Sequence, residues 1–202
     1  MSAVKVRLLA CLAAALTCAP ALSAQEKARL VLRKLEAAVR EIDADLEGVM
    51  GVAIRALTSG ETILRNPDEV FPQASSIKIA VLVSTPREMM TLLQAIHSRR
   101  LFGPERTADL LKVLSTHKES AMLRGLPDYA SAANKSGALE AVRTDSGIVF
   151  APNRPFVLCV MTTYLKSERA GEEAISRIAA AAWTTSERLG RASEYGRVFS
   201  PR

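Results

Sequence analysis

Aromatic side chains are scarce in this chain, at 4% of 202 residues with a single Trp, and histidine occurs only twice. Both shortages exclude function classes. Nucleic-acid grooves need stacking faces interleaved with basic residues, whereas here Lys and Arg are scattered through the helical segments and the net charge is a mild +6. His97 and His117 have no carboxylate or cysteine at ligand spacing, so no metal and no cofactor is expected. Long apolar runs are lacking too. Leu8 to Ala19 is too short to span a bilayer, but it follows Lys5 and Arg7 and precedes Pro20-Ala21-Leu22-Ser23-Ala24. That order reads as a secretory signal peptide over residues 1–24, cut after Ala24 or Ala21. Cys11 comes too early in it to be a lipid-attachment site.

Cleavage takes Lys5 and Arg7 and no acidic residue, so the net charge falls from +6 to +4. It also takes Cys11 and Cys18. Cys159 is then alone in Phe156-Val157-Leu158-Cys159-Val160, which rules out an intramolecular disulfide and reads as a small buried hydrophobe. The expectation is a periplasmic or secreted monomer with no nucleic-acid partner and no membrane attachment after signal removal.

With 49% hydrophobic residues, the remainder can bury one core, expected over residues 25–190 with a tail over 191–202. Leu30, Leu32, Leu35, Val39, Ile42 and Leu46 recur at helical spacing from Glu26 to Leu46. Val49 to Leu57 and Thr62 to Arg65 form a hairpin around Thr58-Ser59-Gly60-Glu61. Pro86 and Pro104 sit where helices to Arg100 and about His117 would begin, and Gly125 to Asp128 is a turn. Strands are predicted over Ala132–Leu139, Val142–Phe150 and Phe156–Leu165, then a helix over Ser167–Leu189. The fold class is α+β: about five antiparallel strands flanked by N- and C-terminal helices, with a reduced helical part.

Ser75-Ser76-Ile77-Lys78 carries the candidate chemistry. A serine and a lysine at i and i+3 share one face of a helix, so the amine can take the hydroxyl proton and leave an acyl-transfer nucleophile. Ser115-Thr116-His117-Lys118 repeats the spacing, but it runs into Glu119-Ser120 at a polar helix end. Ser75 instead opens the apolar run Ile79-Ala80-Val81-Leu82-Val83, whose burial dries the site and lowers the pKa of Lys78. Downstream, Lys135-Ser136-Gly137 opens the three-strand block. A cation, a hydroxyl and a glycine on an edge strand suit a substrate carboxylate lying against open backbone.

Phe71 to Lys78, Thr85-Pro86-Arg87-Glu88-Met89, Lys135-Ser136-Gly137 and Val142 to Val149 together resemble the class A serine β-lactamases and penicillin-binding serine hydrolases, over about residues 26–189. The resemblance implies a β-lactamase/transpeptidase-like fold that takes a small-molecule β-lactam or acyl-peptide substrate. It makes Ser75 the nucleophile and Lys78 its base, with the N–H groups of Ser75 and Ala138 as the oxyanion hole. Lys135, Ser136 and Gly137 would hold the substrate carboxylate, with Arg143 a further cation. The family's helical subdomain is missing, since only Ile79 to Ser84 separate Lys78 from Thr85. With it go the Ser-Asp-Asn element and the deacylating glutamate, so turnover is expected to be impaired. An exposed Ile79, Leu82 or Val83 would follow where that subdomain no longer packs. A non-catalytic or slowly acylating binder of penicillin or peptidoglycan peptides, or a D-alanyl peptidase or esterase of the same superfamily, are the other readings.

Overall fold

The computed structural model describes residues 23–78, 84–116 and 119–192, without the side chains of Ile77 and Lys78. The signal segment to residue 22, the run 79–83 and the tail from 193 lie outside the described residues.

Helix α1, Ala24–Asp45, starts at a capping box in which Ser23 and Glu26 each satisfy the other's backbone N–H. It buries Leu35, Val39 and Ile42, the face its spacing foretold. Strands β1, Val49–Ala56, and β2, Thr62–Arg65, form the first hairpin. Helix α2, Pro86–His97, begins at a second capping box, Thr85 with Glu88, with proline in its first turn. Its end, at His97 rather than Arg100, has a backbone cause: Arg99 adopts φ 57°, which no α-helix accommodates. Helix α3, Pro104–Leu114, ends at Ser115. A short helix α4, Ala121–Arg124, capped by Ser120, occupies a stretch that the sequence reading left without an element.

Strands β3, Ala132–Leu139, β4, Val142–Val149, and β5, Phe156–Thr163, follow, and helix α5, Glu168–Gly190, closes the described chain. β5 stops before the predicted Leu165 because Tyr164 turns to φ 54°. The sheet is antiparallel, in the order β2-β1-β5-β4-β3, so β3 is an edge. The central strand β5 is buried at every position, and its two-residue period sorts its side chains between two layers. Phe156, Leu158 and Val160 meet α1 and α5, while Val157, Cys159 and Met161 meet Met89, Leu93 and Ile96 of α2. Each such large side chain contributes about 1.5–3 kcal/mol of burial. Cys159 is fully buried and free, and desolvation pushes its thiol up, so it is an inert core residue.

Candidate active site

The nucleophile segment forms a 3₁₀ turn, Ala74–Lys78, in place of the α-helix expected to open at Ser75. The correction has a local cause. Pro72 precedes the turn and Ala74 lies at φ 48°, a left-handed conformation that breaks α-helical continuity directly before Ser75. For a residue with a Cβ this strain costs about 1–3 kcal/mol and persists only where surrounding contacts fix it. Ser75 and Lys78 are three residues apart, one turn of such a helix. The side chain of Lys78, and with it the expected contact to Ser75, lies outside the described residues.

Those fixing contacts are specific. Ser76 is fully buried, with its hydroxyl 2.5 Å from Thr144 Oγ1 on β4 and donating to the Lys135 carbonyl on β3 at 3.3 Å. At the base of the loop, the Phe71 N–H donates to the Ser84 carbonyl at 2.9 Å, and the buried Gln73 amide donates to the carbonyls of both residues. Phe71 and Ser84 are therefore held together, and Ser76 is pinned to β3 and β4. Gly137 makes the pinning possible. A Cβ there would lie 2.6 Å from Thr144 Oγ1, 2.7 Å from the Gln73 carbonyl and 2.9 Å from Ser76 Oγ.

Ser75, Lys135, Ser136, Gly137, Ala138 and Arg143 line one cleft of about 390 Å³, a volume suited to a small molecule. Glu119, Ser120, Arg124 and Glu172 also border it. Of the second Ser-x-x-Lys stretch, Ser115 caps the end of α3, while His117 and Lys118 are outside the described residues. A larger groove of about 940 Å³ between α1 and β2, bordered by Arg29, Arg33, Glu61 and Ile63, contains none of the predicted site residues.

Charge within the cleft is unevenly committed. Arg143 pairs with Glu168 and, at 2.9 Å, with Glu172, and its other amino group donates to the Leu139 and Val142 carbonyls. Arg124 donates to the same Glu172 at 2.8 Å. The Arg143 hydrogen bond, opposed by partial burial and aided by Arg124, holds the Glu172 carboxyl below its ordinary value. Lys135 is placed differently: its ammonium donates to the Ser136 carbonyl at 2.7 Å and forms no ion pair among the described residues. It is half-buried.

Behind the cleft, Asp145 is fully buried on β4. It accepts from Ser120 Oγ at 2.5 Å, from the Met122 N–H at 3.1 Å and from Asn134 Nδ2 at 2.7 Å. Asn134 also donates to Ser120 Oγ at 2.8 Å. This network ties α4 to both strands of the β3–β4 hairpin. Sequence reading overlooked it together with the Ser76–Thr144 clamp. The signal available was Arg143-Thr144-Asp145-Ser146, four consecutive polar residues inside a predicted strand.

A five-stranded antiparallel sheet between a layer of terminal helices and a second helical layer, with a serine-bearing turn seated on its edge hairpin, is the architecture of the serine β-lactamases and penicillin-binding proteins. PBP-A superimposes with a TM-score of 0.70 at 16% identity, over 76% of this chain and 96% of that one. A mutant of it, matching equally well, was solved as an acyl-enzyme complex with penicillin G. β-Lactamases from Sphaerobacter thermophilus (TM-score 0.67, 20% identity, 75% of this chain and 96% of that) and Xanthomonas campestris (0.69, 16%, 76% and 98%) share the fold. No curated protein matches the chain in sequence. The chain belongs to the beta-lactamase enzyme family, whose model matches residues 34–84 and 82–186. The two matched segments meet at residues 82–84, beside the Phe71–Ser84 closure and at the point where the helical subdomain is missing.

Proposed function

We propose that this protein is a secreted serine hydrolase of β-lactamase type that acylates Ser75 with a β-lactam and releases the product slowly. The observation that carries the reading is the pairing, in one cleft, of Ser75 with the uncommitted cation Lys135. A β-lactam presents an amide carbonyl and a carboxylate, and these two groups match that pair. In this reading Lys78 takes the Ser75 proton. The N–H groups of Ser75 and Ala138 stabilise the oxyanion, a contribution of about 3–4 kcal/mol per donor in acyl transfer. Lys135 and Ser136 bind the substrate carboxylate against the Gly137 backbone. Arg143, bound to two glutamates, serves mainly to hold α5 against the hairpin, and its charge reaches the substrate weakly.

Slow release follows from the missing subdomain. Loss of its general base removes a contribution of about 10² to 10⁴-fold. Labelling with a fluorescent penicillin followed by a chase tests this: the expected result is a band that fades slowly and is absent in Ser75→Ala. A band that survives that substitution overturns the assignment. No label, with Ser75-dependent hydrolysis of a p-nitrophenyl ester, supports the esterase reading instead.

Secretion rests on the signal reading of residues 1–24. N-terminal sequencing of protein exported by a bacterial host should return Leu22 or Gln25, and an intact Met1 on exported protein contradicts it. Only the cut after Ala21 leaves the Ser23–Glu26 capping box in the mature chain.

A further inference from the structure

We infer that the connection between α2 and α3 docks this protein on an anionic lipid surface, with Leu101 and Phe102 entering the headgroup layer and Arg99, Arg100 and Arg106 meeting the phosphates. The inference makes no use of the acyl-serine reading. Every residue from Ser98 to Arg106 is exposed. Leu101 is 48% exposed and Phe102 41%, so two adjacent large apolar side chains stand in water at the tip of a helix pair. Together with Arg106 they border one recess of about 440 Å³. Apolar side chains scattered singly are ordinary on a surface, whereas a cluster of them rimmed by charge marks a contact.

The tip presents this chemistry on a fixed backbone. Arg99 lies at φ 57°, its N–H donates to the Ile96 carbonyl at 3.0 Å, and that of Arg100 donates to Ala95 at 2.9 Å. On the far side, the buried Thr107 donates its N–H to the Gly103 carbonyl at 3.0 Å and its hydroxyl to the Phe102 carbonyl at 3.3 Å. A tip held at both ends has little freedom to lose on docking. Its charge is also uncommitted. Arg100 Nε donates to Ser98 Oγ at 2.9 Å, but none of the three arginines forms an ion pair among the described residues, and Glu105 alone opposes them within the loop.

Charge is polarised along the helix pair. At the other end of α2, about 18 Å away by its 12 residues, Asp68, Glu69 and Glu88 outnumber Arg87, which pairs with Asp68. Near an anionic surface this asymmetry turns the basic tip inward. α2 begins beside the Phe71 and Ser84 closure, and α3 leads from the tip to Ser115, ahead of Glu119 on the cleft rim. Docking by the tip therefore leaves the Ser75 cleft at the opposite end of the pair. A bilayer suits the tip better than a soluble polyanion, because only hydrocarbon rewards the apolar pair. The expectation of no membrane partner rested on the lack of an apolar span. No described helix is one, but peripheral docking requires none.

The test is co-sedimentation of the chain from Leu22 onward, which holds every described residue, with sucrose-loaded vesicles of phosphatidylcholine alone or mixed equally with phosphatidylglycerol. Binding should be confined to the mixed vesicles and fall as salt is raised. Arg99→Gln with Arg100→Gln should weaken it about twenty-five-fold, about five-fold for each charge removed. Leu101→Ser with Phe102→Ser should weaken it at least about ten-fold. The control, Lys27→Gln with Lys34→Gln, removes the same charge from exposed positions of α1 and should bind as the unaltered chain does. Equal urea midpoints report that each variant is folded. An unaltered chain that stays in solution, equal binding to neutral vesicles, loop variants that bind at full strength, or a control weakened as much as the arginine variant would each overturn the inference.

Discussion

Gly137 holds the nucleophile turn in place by what it lacks. Its backbone lies so close to Gln73, Ser76 and Thr144 that any side chain would strike all three. Gly137→Ala should therefore displace the 3₁₀ turn, at a cost of about 1–3 kcal/mol from overpacking. The acylation rate at Ser75 should fall at least about ten-fold, since small misplacements of reacting groups are that costly. Stopped-flow labelling and a urea unfolding curve measure the two effects, and an alanine variant that acylates at the unaltered rate contradicts this role. Part of the lining of the candidate cleft was legible at this scale. Ser75 and the Lys135-Ser136-Gly137 triplet stand out because their spacing is local, and they line a common cleft. The Ser76–Thr144 clamp and the Asp145–Ser120–Asn134 network were not legible, because each joins residues 11 to 68 positions apart by hydrogen bonds that leave no periodic trace.

Among the elements, the link between α5 and the β3–β4 hairpin depends on ionised groups. Arg143 of β4 spans Glu168 and Glu172, and Arg124 of α4 reaches Glu172 as well. Because the Glu172 carboxyl lies below its ordinary value of 4.5 in the folded chain, its contribution to stability is complete above that value. It is lost as pH falls through the depressed folded value. Urea midpoints should be nearly level from neutral pH to about 5 and decline below about 4.5, with a shallower decline in Glu172→Gln. An equally steep acid limb in that variant contradicts the link. The elements themselves were largely readable. α1, the strands and α5 carry strong periods, so β3 falls on its predicted bounds and β4 ends one residue short. The nucleophile turn was misread as α-helix because the left-handed Ala74 has no signature in sequence, and α4 was missed because four residues are too few to show a period.

For the whole molecule, the question is how a sheet and its terminal helices keep a usable cleft once the helical subdomain is missing. The sheet, α1, α2 and α5 form two hydrophobic layers on opposite faces of β5, and neither draws on that subdomain. The loop carrying Ser75 is closed by the Phe71–Ser84 bond where the family's two matched segments meet. Ser76 beside Ser75 is held by β3 and β4, which both belong to the retained part. The Ser75 turn and the Lys135-Ser136-Gly137 strand thus sit on the retained scaffold. The most direct measurement is peptide mass mapping of the chain after brief exposure to benzylpenicillin and acid quench. The account predicts one drug mass on the peptide spanning residues 66–78, assigned to Ser75 by fragmentation and absent in Ser75→Ala. A folded protein that carries no adduct, or carries it on another residue, would contradict it.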